Sequence, residues 1–203
     1  VVIFTSDHGD MVGDHHLTMK GAFMYDACTR VPMLVRWPNN PAGSTSNAPC
    51  QLHDIAGTAL TLAGYTADEI AGWMPDARNL LDENALASRG NAPLMHRNPS
   101  TCRDRTANYS GYHDPPLHIT LWREGRYKFS IYHSPEPTNC PGELFDMDAD
   151  PQEMNNLWHD PAHQETRDRL WIKLTNWLVQ QESQGRARGT HARPPGFEEK
   201  RES

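Results

Sequence analysis

Val1-Val2-Ile3-Phe4 is an apolar run without alternation, and Thr5-Ser6-Asp7-His8-Gly9-Asp10 follows it at once. An unbroken run of this kind predicts a strand buried on both faces of a parallel sheet. In open α/β sheets ligands bind beyond the carboxyl ends of the strands, which is where Asp7 and His8 stand. A carboxylate beside an imidazole, with a glycine that lets the backbone turn away, has the donor chemistry of two metal ligands. Alone, the tripeptide equally suits an ordinary loop in which Asp7 caps a turn and His8 is solvated. The continuation from Gly9 to Met19 has no stable period and is rich in small, charged and histidine residues, as expected of a functional loop leading to Lys20.

The rest of the chain offers that strand few partners. Its 203 residues suffice for a substantial core, yet only 37% are apolar, and the mean hydropathy is -0.74. Only Val1–Thr5 and Val31–Trp37 read as buried strands, so the expectation is the C-terminal portion of a longer protein whose earlier strands complete the sheet. A net charge of -7 argues against nonspecific binding to nucleic acid or to an acidic membrane surface. No apolar run approaches the roughly 20 residues of a membrane span. Cys28, Cys50, Cys102 and Cys140 form no Cys-x-x-Cys pair, which speaks against a zinc site and leaves every disulfide pairing open. Oligomeric state and compartment have no signature here, since any secretory signal would precede Val1.

Further along, Gly21–Thr29 suits a short helix ending before Arg30-Val31-Pro32, with Asp26 and Arg30 spaced for an i,i+4 ion pair and Cys28 as a buried small residue. Leu52–Gly64 is amphipathic, with Ile55, Ala59, Leu60, Leu62 and Ala63 as the buried stripe and Gly64 as C-cap. Helix-start polarity accounts for its His53-Asp54 pair. Tyr65–Asn91 reads as loop with an apolar patch at Leu80-Leu81. His96–Pro116 is a long polar connection whose Arg97, Arg103, Arg105, Tyr109, Tyr112 and His113 have the chemistry to line a pocket for an anionic or sugar-like group. Leu117–Trp122 and Arg126–Tyr132 alternate about Glu124-Gly125, predicting a hairpin with one wet face. Gly142–Asp146 is a further short strand. The acidic run after it lacks the glycine and terminal glutamate of an EF-hand and reads as a turn with capping side chains. Pro161–Gln181 predicts a last helix with Leu170, Leu174, Trp177 and Leu178 facing the small sheet, and residues 182–203 a polar tail.

Several of these pieces come in a set order: Thr5-Ser6-Asp7-His8-Gly9, Gly13-Asp14-His15, Lys20-Gly21, and Arg30-Val31-Pro32 before Met33-Leu34-Val35. The combination resembles the metal-binding signature of sulfatases and their relatives in the alkaline phosphatase superfamily. Leu52–Gly64 is similar to a sulfatase helix that has proline where Gly57 stands, and Glu143–Leu157 to a segment near the sulfatase C-terminus. The resemblance runs from Val1 to about Gln181. It implies an α/β fold: the C-terminal part of an alkaline phosphatase-like three-layer α/β/α domain over residues 1–95, then a subdomain over 96–181 with a small antiparallel sheet packed by a C-terminal helix, then a tail over 182–203.

The resemblance also implies a hydrolase acting on sulfate monoesters. Asp7 and His8 become two ligands of one divalent cation, Ca2+ with Mn2+ or Mg2+ as alternatives, and Lys20 contacts the sulfate or its bridging oxygen. His15 falls where relatives often carry histidine, suited to hydrogen-bonding substrate or to loop scaffolding. His16 stands where many have glycine, and a side chain resists positive φ there. The formylglycine nucleophile of complete sulfatases needs a Cys/Ser-x-Pro/Ala-x-Arg motif that this sequence lacks, so it is expected upstream with two further aspartate ligands, and this stretch alone is expected to be inactive. The alternatives are a phosphonate monoester or phosphodiester hydrolase of the same superfamily and an inactive relative. A two-metal member would need a further ligand from His96, His113, His118 or His133, whereas Lys20 supplies the charge of a second metal.

Overall fold

The computed structural model describes residues 1–38, 43–98, 117–133 and 140–188. The first apolar run forms β1 (Val2–Thr5) and the second β2 (Met33–Arg36). They pair with each other antiparallel, Ile3 opposite Val35 and Phe4 opposite Leu34, in a two-stranded sheet. The expected burial on both faces of a parallel sheet is therefore corrected for this pair: Val2, Phe4 and Leu34 are all more than 60% exposed. Between the strands, helix occupies only Asp26–Thr29 (α1) of the stretch expected to be helical. Residues 21–25 form no helix, and Ala22 and Met24 pack onto a neighbouring sheet instead.

α2 (Asp54–Leu62) forms where expected, and Gly64 beyond it takes the left-handed conformation of a helix terminus. Its buried side is the opposite of the predicted stripe. Asp54, Gly57 and Thr58 are buried, while Ala59 and Leu62 face outward. A Cβ at Gly57 would lie 3.0 Å from Ala77 Cβ, so the glycine lets the helix approach the 75–80 segment closely. Two short helices occupy the region read as loop. α3 (Ala67–Trp73) starts from a Thr66–Glu69 capping box, and α4 (Glu83–Ala87) from Asp82, whose carboxylate accepts the Asn84 and Ala85 N–H groups.

The second sheet has the order β3-β4-β5-β6, antiparallel throughout, from β3 (Asn91–Asn98), β4 (Leu117–Glu124), β5 (Tyr127–His133) and β6 (Gly142–Asp146). The sequence reading missed β3, which carries Pro93 and is tolerated as an edge strand. The β4–β5 hairpin forms as expected, but its wet face does not exist. On one side Trp122, Phe129, Ile131 and Leu144 pack beneath α5 (Gln164–Arg188) through Leu170 and Leu174. On the other side Ile119, Leu121, Lys128 and Ser130 are buried, and Met24 packs on the first two. α5 follows a 3-10 turn at Pro161–His163 and continues seven residues past the expected end at Gln181. Cys28, Cys50 and Cys140 are free thiols; Cys102, Arg103, Arg105, Tyr109, Tyr112 and His113 lie outside the described residues.

Candidate functional site

β1 ends at Thr5, and the chain turns so that Ser6 Oγ donates to the His8 carbonyl at 2.7 Å. Asp7 Oδ1 accepts the His8 N–H at 3.0 Å, and its Oδ2 lies 3.4 Å from His8 Nε2. His8 Nδ1 meets the Gly9 carbonyl at 3.0 Å. A carbonyl only accepts, so Nδ1 carries a proton and Nε2 is the nitrogen turned toward Asp7. Lys20 Nζ reaches the same Nε2, which brings three of the four predicted residues, Asp7, His8 and Lys20, together. The His8 N–H, then the His8 and Lys20 charges, hold the exposed Asp7 carboxyl below its ordinary value. Gly9 is needed for contact more than for turning: a Cβ there would lie 1.9 Å from the Ala27 carbonyl oxygen, and Gly9 N–H donates to Cys28 O at 2.9 Å. Burial pushes the Cys28 thiol up, away from nucleophile chemistry.

The loop between the two halves of the site is closed by its own backbone. Asp10 Oδ1 accepts the Lys20 N–H at 2.7 Å, Val12 N–H bonds Thr18 O and Gly13 N–H bonds Leu17 O. Val12, His15 and His16 have φ of 47, 51 and 61°, so the left-handed backbone that glycine would favour is carried here by side-chain-bearing residues. His15 stacks on Tyr25 with ring centroids 3.8 Å apart, and its Nε2 meets Gln152 O at 3.1 Å. Its ring thus engages the protein through one face and one edge.

Two buried polar networks went unseen in the sequence. Asp54 is wholly buried and holds Arg89 in a two-pronged pair, each contact 2.6 Å, while accepting the Gln51 and Arg78 N–H groups at 2.7 Å. Lys128, 3% exposed, bridges Asp26 Oδ1 at 2.7 Å and Glu153 Oε1 at 2.5 Å. Burial pushes the Glu153 carboxyl up, and the Lys128 charge pulls it back. The expected Asp26–Arg30 pair is present but longer, at 3.8 Å. The acidic turn behaves as capping chemistry: Asp150 Oδ2 accepts the Asn155 N–H at 2.7 Å, and Asp146 pairs with Arg126 at 2.9 Å.

The donor chemistry of Asp7 and His8 fits a divalent ion. Their 3.4 Å separation matches two neighbouring ligands of one ion, roughly 3.3 Å apart for bonds of about 2.3 Å. They supply two donors only, and among the described residues no group of three or more His, Cys, Asp or Glu residues could hold a metal. His96, His118 and His133 lie on β3, β4 and β5, where His133 Nε2 pairs with Thr120 Oγ1 at 2.8 Å.

Residues 13–180 match the family described as N-sulphoglucosamine sulphohydrolase, C-terminal. The chain is 31% identical over 161 residues to the N-acetylglucosamine-6-O-sulfatase of Bacteroides thetaiotaomicron, across 78% of this chain and 26% of that protein. It is 30% identical over 161 residues to the choline-sulfatase of Rhizobium meliloti, across 79% and 27%. It superposes with a TM-score of 0.66 on the phosphonate monoester hydrolase of Agrobacterium radiobacter at 23% identity, over 88% of this chain and 34% of that one, a likeness of fold. The chain spans about a quarter of the length of these curated relatives.

Proposed function

Because this chain belongs to the C-terminal family of N-sulphoglucosamine sulphohydrolases, within the sulfatases, we propose that it forms the part of a sulfate monoester hydrolase that contributes Asp7, His8 and Lys20 to the reacting centre. The observation that carries the reading is that Asp7, His8 and Lys20 stand side by side beyond the end of β1. Cleavage of a sulfate ester gathers negative charge on the leaving oxygen, and groups that meet this charge without moving lower the barrier. Lys20 provides an ammonium, tethered through its backbone N–H to Asp10. Asp7 and His8 are two ligands of one divalent cation, Ca2+ in this reading, with Mn2+ or Mg2+ as alternatives. Such an ion polarises sulfate oxygens. His8 is held in the ligating tautomer by Gly9 O, and Asp7 stays ionised because the His8 N–H and the Lys20 charge favour its carboxylate. The nucleophile, a formylglycine in this reading, lies outside this chain's residues.

The test is the full-length protein assayed on 4-nitrophenyl sulfate, N-acetylglucosamine 6-sulfate and a phosphonate monoester, with bound metal counted by plasma emission. Sulfate esters should give the higher kcat/KM, and Asp7→Asn should lose the ion. Preference for the phosphonate ester, or an Asp7→Asn protein that keeps its full ion content, overturns the reading.

A further inference from the structure

The face of the second sheet that turns away from α5 grips two consecutive residues, Tyr25 and Asp26. Tyr25 donates its hydroxyl to Glu143 Oε1 at 3.2 Å, and the other oxygen of Glu143 accepts Tyr132 and Ser130 hydroxyls at 3.0 and 3.1 Å. Asp26 gives its N–H to Glu153 Oε2 at 2.6 Å and its carboxylate to the buried Lys128. Glu143 lies on β6 and Glu153 in the turn after it, so one short segment holds both residues.

The outer face of Tyr25 carries the His15 ring, nearly parallel at 11°. Gln152, beside Glu153, takes His15 Nε2 on its carbonyl. His15 sits among left-handed residues at the bend of the loop that ends on Lys20. Such backbone is strained and persists only where surroundings over-determine it. Contacts inside the loop join its two arms, and beyond them His15 contacts Tyr25 and Gln152.

We infer that Tyr25 is a positioning residue, through which the β6 segment of the C-terminal sheet sets the loop carrying Lys20. It acts on the reacting centre through His15 and touches no substrate itself. The inference rests on the proposed sulfatase reading for its kinetic consequence, though not for its structural one.

Two variants of the full-length protein separate the functions of this side chain. Tyr25→Phe keeps the ring under His15 and loses the hydroxyl on Glu143; Tyr25→Leu loses both. Hydrogen–deuterium exchange is read at the loop amides of Val12, Gly13, Leu17 and Lys20 and at the β5 amides of Phe129 and Ile131, with kcat and KM measured alongside. Tyr25→Leu should exchange its loop amides about tenfold faster with β5 unchanged, and lose up to about 10²-fold in kcat with little change in KM, as misplacement of a catalytic group by about 1 Å does. Tyr25→Phe should keep the loop protected. His15→Ala removes the stack without touching the sheet and should give the same loop signature even if Tyr25→Leu does not fold. Loop amides that stay protected in His15→Ala, or that open only together with β5, overturn the inference. A wild-type protein that hydrolyses no sulfate ester refutes the functional reading while leaving the exchange comparison to decide this one.

Discussion

Among the chain's adjacent aspartate–histidine pairs, Asp7-His8 and His53-Asp54 each place Nε2 near a carboxylate oxygen, at 3.4 and 3.7 Å. Their surroundings make them opposites. Asp54 is wholly buried, and its oxygens take two guanidinium contacts from Arg89 and two backbone N–H groups. The Asp7 side chain is 83% exposed, and its Oδ2 lies 3.4 Å from an imidazole nitrogen. A carboxylate has about four lone-pair sites, and one whose sites are all taken by protein donors has none for a cation or substrate. What separates architecture from chemistry here is uncommitted acceptor capacity, which neither residue type nor adjacency reveals.

The sharpest way to break this comparison is to remove one partner from each pair. Arg89→Ala strands a buried carboxylate and should lower unfolding stability by about 3–5 kcal/mol in urea denaturation of the full-length protein. Lys20→Ala should do the reverse: kcat falls about 10²–10³-fold, while unfolding stability moves by no more than about 0.5 kcal/mol. If Lys20→Ala unfolds the protein or leaves turnover intact, the site is architectural like its counterpart.

A smaller effect tests whether Tyr25 belongs to the buried class. Burial, then the charge of Glu143, pushes its phenol from 10.0 up to about 12. The native state therefore keeps a proton that the unfolded chain releases, so this contribution is complete below pH 10 and is lost as pH rises toward about 12. Stability measured from pH 9 to 12 should fall less steeply in Tyr25→Phe, with the remaining slope partly due to Tyr132, whose phenol burial also raises. An unchanged slope would mean the Tyr25 hydroxyl is open to water. The smallest expected change is a gain. His16→Gly relieves a φ of 61° and should raise stability by about 0.5 kcal/mol once the entropy of glycine is deducted. Thermal unfolding that shows a loss instead would give the His16 side chain a stabilising role.

Much of the local structure was legible because its signals are local. The β4–β5 hairpin announced itself by alternation around Glu124-Gly125, and β6 formed over the residues expected. Leu170 and Leu174 recur at helical spacing and are buried, as read. The capping box of α3 was written in Thr66 and Glu69 and could have been found by the same means. β3 was harder, since Pro93 and a polar second half weaken its strand signal and only pairing with β4 compensates. For the candidate site, order along the chain was enough to single out Asp7, His8 and Lys20, because loop and strand end lie within twenty residues of each other.

The sequence by itself determined where the β4–β5 hairpin, β6 and the capped starts of α3 and α4 lie, since caps, turns and periodicity act over a few residues. Tertiary structure alone decided which faces are inside. α2 turns Asp54 and Thr58 inward because Arg89, 35 residues from Asp54, arrives to neutralise it. The hairpin's polar face is dry because Asp26 and Glu153 converge on Lys128 from far along the chain. Burying a charge is favourable only when its partner is already in place, and that pairing becomes visible only once the chain has folded.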